Sequence, residues 1–173
     1  MRTKTVSGAI LRKEAYTKAT ARLSILFQSG RSKMNIPKIL TPKAMTAYLS
    51  ADDTVRQGLE IMKRYGYTAI PVLNDRGEYI GCITEGDFLW HILNTGSTSM
   101  KSQEQYRISD LVRRDFCPPL GIAADEDEVI DAVMQQNFVP IVDDRGCFCG
   151  IVTRRSVIGA LAGAEVSVIG KAI

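Results

Sequence analysis

The chain repeats itself. "IPVLNDRGEYIGCITEGD" at 70–87 lies over "VPIVDDRGCFCGIVTRRS" at 139–156, at an offset of 69 residues and without a gap. Pro71 matches Pro140, Asp75 matches Asp144, Arg76 matches Arg145 and Gly77 matches Gly146. Tyr79 matches Phe148, Gly81 matches Gly150 and Thr84 matches Thr153. Agreement this dense is improbable by chance. It constrains the fold more than any local signal, because one supersecondary unit must be built twice and each copy needs a neighbour to bury its apolar face.

Each copy reads the same way. A short apolar strand, Ala69–Leu73 or Phe138–Val142, begins near a proline, which cannot donate to a ladder and so marks a strand start or edge. Asp-Arg-Gly follows as a turn signal, then a second strand, Tyr79–Ile83 or Phe148–Val152. A helix then opens at Thr84 or Thr153. Upstream of the first hairpin, Val55, Leu59 and Met62 recur at helical spacing. Ser50 is the expected cap, Asp53 follows at capping-box distance, and Gly66 is the stop. Upstream of the second, the acids of "ADEDEVIDAVMQQN" suit a helix N-terminus, and Asn137 ends the run. A short extended piece precedes each helix, around Ala47–Leu49 and Leu120–Ala123. The unit is strand, helix, strand, strand, helix, twice. A copy of about 60 residues has little core of its own. The expectation is therefore an α+β fold in which two pseudo-symmetric repeats pack as one body. The polar "NTGSTSMKSQEQ" reads as a flexible link between them.

Composition narrows the function. Charge is unevenly spread: residues 1–33 hold eight Lys/Arg and one acid, for a net +7, while the rest is net −4. A mildly acidic body does not suit a nucleic-acid grip. The basic tail has three readings: a transit peptide, a basic helix, or an upstream extension with Met34 as an alternative start. No apolar run approaches the ~20 residues of a membrane span. Cys82, Cys117, Cys147 and Cys149 form no CxxC, and His91 completes no zinc set, so reduced thiols in a cytoplasmic protein are expected. There is no Walker loop, no GxGxxG, no nucleophile elbow and a single histidine, which argues against an enzyme.

A proline followed by an apolar residue (Pro71-Val72, Pro140-Ile141), then Asp-Arg-Gly, then Gly-x-x-Thr, occur in order in both "YTAIPVLNDRGEYIGCITEGDFL" and "NFVPIVDDRGCFCGIVTRRSV", with Thr-x-x-Asp closing the first, and resemble tandem CBS (cystathionine beta-synthase) domains, the Bateman module. The likeness covers residues 36–163. It divides the chain into an extension (1–33), a first CBS domain (36–94), a linker (95–105), a second CBS domain (106–163) and a C-terminal tail (164–173). The first repeat looks like small stand-alone CBS-pair proteins of Gram-positive bacteria, some of whose relatives are cyclic-di-AMP receptors. The resemblance implies a regulatory module that binds adenine nucleotides, with no cofactor, acting as a homodimer on an unknown regulated protein.

The resemblance also implies two composite clefts, each facing the helix-opening turn of one repeat to the first strands of the other. One joins Thr153, Arg154 and Arg155 to Ala47, Tyr67, Thr68 and Ala69. The other joins Thr84 and Asp87 to Ile122, Phe138 and Val139. A helix N-terminus with a hydroxyl and two guanidinium forks suits phosphate oxygens. Small Ala47 and Ala69 let a base approach strand backbone, and Tyr67 or Phe138 stacks on it or walls it off. In the family, the acid at the position of Asp87 holds both ribose hydroxyls, as AMP or ATP would offer. The second repeat has Ser156 there, a departure that suits a 3′,5′-cyclic dinucleotide, which lacks the diol and carries two phosphates.

Plainer readings stand beside these. Thr84-x-x-Asp87 is also a capping box with no ligand needed. Arg154 and Arg155 read equally as solvated surface, slightly unfavourable to the helix dipole, with nothing local to offset the cost. Lys43 is a solvated lysine or a phosphate contact, and His91 a helix-surface residue. Phe88, Leu89, Trp90, Ile92 and Leu93 exceed one core-facing stripe, which fits either a dimer interface or deeper burial. The function classes left open are a nucleotide-sensing module and a ligand-free dimerisation module.

Overall fold

Both expected hairpins form in the computed structural model, which describes residues 35–162. The basic tail (1–33) and the C-terminal tail (164–173) lie outside the described residues. Seven strands appear: β1 (Leu40–Pro42), β2 (Leu49–Ser50), β3 (Ala69–Leu73), β4 (Tyr79–Thr84), β5 (Leu120–Gly121), β6 (Phe138–Val142) and β7 (Phe148–Thr153). They alternate with helices α1 (Ile36–Ile39), α2 (Val55–Tyr65), α3 (Glu85–Thr95), α4 (Glu126–Gln135) and α5 (Arg154–Leu161). The fold is α+β with two CBS-type repeats. One sheet has the order β2-β3-β4 and the other β1-β7-β6-β5.

The first sheet is built by the first repeat alone, whereas β1 belongs to the first repeat by sequence and to the second sheet by pairing. Thr41 lies opposite Ile151 in β7. Reciprocally, Arg113, which leads into the second repeat, bridges Cys82 in β4 through both backbone hydrogen bonds, 3.2 and 3.0 Å. Cys82 and Ile151 are equivalent by the 69-residue offset, so Arg113 and Thr41 are structural counterparts. The cores exchange in the same way. Ile36 and Ile39 are buried with Val129, Val139 and Val157 of the second repeat, while Ile108 is buried with Val55, Ile70 and Phe88 of the first. Each such side chain withdraws about 1.5–3 kcal/mol of apolar surface from water, which ties the two repeats together.

Glycines make the crossings possible. Gly81 has φ 149° and Gly150 φ 151°. A Cβ on Gly81 would stand 2.5 Å from Arg113 O, and one on Gly150 would strike Thr41 O and stand 3.0 Å from Pro42 Cα. A third apolar cluster closes the joint: Leu73 and Cys82 from the first repeat, Phe138, Phe148 and Ile151 from the second, and Cys117 between them. The two hairpin turns also meet, Tyr79 N–H donating to Gly146 O (3.1 Å) and Phe148 N–H to Gly77 O (3.0 Å).

Several sequence expectations need correction. Pro71 and Pro140 sit in the middle of central strands, not at a start or edge. Cys82 and Ile151 direct their backbone groups to the lead-in segments, so the missing proline N–H faces the β2 or β5 side. Those strands pair only with Val72–Leu73 and Ile141–Val142 and never reach the proline. Thr54, not Ser50, caps α2, through a capping box with Gln57. The Ser50–Asp53 spacing is used by a separate bend, in which Asp53 Oδ2 accepts Ser50 N–H at 2.8 Å. The linker is held in place. Gln103 is 1% exposed, its Oε1 lies 2.9 Å from His91 Nε2, and its Nε2 donates to Ser97 O at 2.8 Å. His91 is thus a half-buried tether, edge-on to Tyr106 at 4.6 Å.

Candidate functional site

Both helix-opening turns stand at the same place in their hairpins, because register fixes them. Ala69 lies opposite Thr84, and Phe138 opposite Thr153. Ala69 and Phe138 then meet in the joint cluster. In each repeat the residue before the first strand closes the turn: Thr68 O accepts Glu85 N–H (3.1 Å) and Asn137 O accepts Arg154 N–H (2.9 Å).

The turns are both complete capping boxes. Asp87 Oδ2 accepts from Thr84 N–H (2.8 Å) and from its hydroxyl (2.7 Å), while Thr84 Oγ1 accepts Asp87 N–H (3.2 Å). In the second repeat Ser156 Oγ accepts Thr153 N–H (3.1 Å) and donates to Thr153 O (2.8 Å), and Thr153 Oγ1 accepts Ser156 N–H (3.0 Å). A hydroxyl replaces the carboxylate without loss of the cap.

The remaining charge differs. Asp87 leaves Oδ1 outside the box, 3.9 Å from Arg113 Nη1, whose guanidinium also lies over the Phe116 ring at 4.2 Å. Arg154 does not project freely. Its Nε donates to Val133 O (2.7 Å) and its Nη2 to Gln136 O (3.2 Å), the last-turn carbonyls of α4. The expectation that nothing local offsets an arginine in the first turn is corrected here: Arg154 satisfies orphan carbonyls of a neighbouring helix. Arg155 is exposed, and its side chain makes no hydrogen bond or ion pair among the described residues.

The other expected residues are placed as follows. Tyr67 is 8% exposed within the first repeat's core, its ring 5.6 Å from Tyr65, and burial, with Tyr65 second, pushes its hydroxyl up. Thr68 is exposed, while Ala47 is half-buried against the first repeat's core. Phe138 and Val139 are buried, which leaves only backbone from Val139 and no open ring face from Phe138. Ile122 is partly exposed. Register makes it the counterpart of Ala51, not of Ala47: Ile122 N–H donates to Val142 O (2.9 Å) as Ala51 N–H does to Leu73 O (2.8 Å).

Two residues escaped sequence reasoning. Arg113 is one, since its relation to Asp87 comes from the crossing segment alone. Tyr48 is the other. It is exposed, edge-on to Phe148 at 6.4 Å, with Lys43 Nζ 5.4 Å from its ring centre. An aromatic beside the strand of β2 was the available signal. The four cysteines are free, and Cys82 is pushed up first by its contact with Cys117 and then by burial, so it stays a thiol. Among the described residues there is no cluster that could hold a metal, and no helix long and apolar enough to cross a membrane.

The CBS domain family matches the chain twice, at residues 39–94 and 108–163, and the chain belongs to that family. Inosine-5'-monophosphate dehydrogenase of Methanocaldococcus jannaschii is 26% identical over 114 residues, 64% of this chain and 20% of that protein. The chain spans from 20% to 48% of the length of the curated relatives it matches. Among solved structures, the Listeria monocytogenes CbpB protein in complex with c-di-AMP superimposes with TM-score 0.67 at 22% identity, covering 75% of this chain and 96% of that one. CBSX2 in complex with AMP superimposes with TM-score 0.60 at 21% identity over 75% of this chain and 96% of that one. These likenesses establish the CBS-pair fold.

Proposed function

We propose that this protein is a non-catalytic regulatory module that binds an adenine nucleotide, AMP/ATP or cyclic-di-AMP, in clefts between its two repeats. It acts in the cytoplasm as a homodimer and signals to a partner protein. CBS-pair proteins are generally regulatory modules without catalysis. The observation that carries the reading is the chemical division between two turns of one geometry. The acidic turn keeps Asp87 Oδ1 outside its capping box, available to a ribose diol. The basic turn keeps Arg155 without a hydrogen bond or ion pair among the described residues, available to phosphate oxygens. The complexes of CbpB with c-di-AMP and of CBSX2 with AMP support the ligand class.

The dimer rests on α3. Phe88 is buried, but Leu89, Trp90 and Leu93 are 53%, 63% and 58% exposed, so monomer packing leaves this face uncovered among the described residues. Calorimetric titration of the full chain with AMP, ATP and cyclic-di-AMP tests the reading. Cyclic-di-AMP heat lost in Arg155→Ala marks a second-messenger receptor. AMP or ATP heat lost in Asp87→Ala marks an energy sensor. No heat with any of the three leaves a dimerisation module with capped helices.

A further inference from the structure

We infer that Arg113 is the specificity residue of the acidic cleft: it holds Asp87 while the cleft is empty and takes the ligand's 5′-phosphate once a ribose has taken Asp87. This deepens the nucleotide-binding reading and rests on it. Asp87 has two carboxylate oxygens with different work. Oδ2 is committed to the cap by two short hydrogen bonds. Oδ1 faces Arg113 at 3.9 Å, beyond hydrogen-bond length, so the guanidinium is a counter-ion and not a bonded partner. Asp87 is 16% exposed, which makes an uncompensated negative charge there costly, and Arg113 supplies the compensation.

Arg113 is built to move. Its backbone is fixed to Cys82, but its side chain is 51% exposed and lies on the Phe116 ring, with no other ion pair among the described residues. A ribose diol donating to Oδ1 displaces it from Asp87. The freed guanidinium then needs a new anion, and the nearest one is a phosphate on the same nucleoside. The ligand class follows: a nucleotide with both a free vicinal diol and a 5′-phosphate. The other repeat lacks both halves of the device, having Ser156 for Asp87 and Thr41 for Arg113. The two turns therefore differ by a coupled pair of residues on separate segments, not by one acid.

The test titrates the full chain with AMP, adenosine and cyclic-di-AMP, using wild type, Arg113→Ala, Arg113→Lys and Asp87→Asn. Wild type is expected to prefer AMP over adenosine. Arg113→Ala should lose about tenfold in AMP affinity, with adenosine unchanged or tighter because its competitor for Asp87 is gone. Arg113→Lys should keep part of the AMP preference, and Asp87→Asn should lose both ligands. Equal losses for AMP and adenosine in Arg113→Ala would reduce Arg113 to a structural role and overturn the inference. So would an unchanged AMP affinity, or binding of cyclic-di-AMP alone, and either would leave the nucleotide-binding reading standing. A wild-type protein that binds no nucleotide overturns that reading and this inference together. Thermal unfolding of each variant separates a lost contact from a lost fold.

Discussion

The start of α3 and the start of α5 are one structure with two chemistries. Strand register, threonine cap and the carbonyl that closes the turn are shared, yet Glu85 and Asp87 stand where the second repeat has Arg154 and Ser156. Part of the contrast is explained by the helices just upstream. α2 ends with Lys63 and Arg64 in its last turn and a left-handed Gly66 (φ 66°) that donates to Met62 O. α4 has no basic residue in its last turn and ends at an extended Gln136. Arg154 supplies from outside what α4 lacks, donating to the carbonyls of Val133 and Gln136. A charge reversal between repeats thus contains a structural arginine, Arg154, beside an uncommitted one, Arg155. Sign alone does not separate ligand chemistry from helix repair.

The strongest way to break the comparison is at the crossings that both repeats share. Gly150→Ala forces a Cβ into Thr41 O at a positive φ and is expected to cost more than about 3 kcal/mol in urea unfolding. Gly81→Ala, where Arg113 O would lie 2.5 Å from the new carbon, should be the milder of the pair. Next come the arginines. Arg154→Ala should lower stability by about 1 kcal/mol through the orphaned α4 carbonyls, and Arg155→Ala should stay within about 0.5 kcal/mol of wild type while reducing affinity for a phosphate-rich ligand. Equal stability losses would erase the division of labour between them.

The caps give a smaller and symmetric effect. Thr84→Ala and Thr153→Ala should each cost about 1 kcal/mol. A markedly larger loss in one repeat would show that the two boxes are not equivalent supports. The least effect on the fold is expected from Trp90→Glu, on the exposed face of α3. Its chemical denaturation at low protein concentration should match wild type, while sedimentation should show a smaller particle. An unchanged sedimentation coefficient would remove α3 from the proposed interface.

Legibility followed the range of the interactions. β3 and β6 begin and end where their short continuous apolar runs and the following Asp-Arg-Gly turns place them, and β4 and β7 run one residue further, to the capping threonines. The start of α2 was misplaced because two capping spacings overlap. Ser50–Asp53 is satisfied by a bend and Thr54–Gln57 by the helix, and composition alone does not rank them. Of the candidate site, the two turns and the Thr84–Asp87 box were legible; the Thr153–Ser156 box was not, since from sequence Ser156 reads only as the loss of an acid. The burial of Tyr67 and Phe138 and the direction of Arg154 were not.

The sequence by itself determined the repeat, the order within each strand-helix-strand-strand-helix unit and the helix-opening turns, since these rest on hydrogen bonds and periodicities spanning three or four neighbours; it did not determine α1 or β1. Tertiary structure alone decided that each repeat lends its lead-in segment to the other, so that Arg113 faces Asp87 and Thr41 faces Ile151. It also decided that Gln103 is buried beside His91, and that packing within the chain leaves Trp90 exposed. Those outcomes depend on which surfaces meet after long stretches of chain have closed. Local residue types carry no record of a partner that lies 26 residues away, as Arg113 does from Asp87, until packing brings it there.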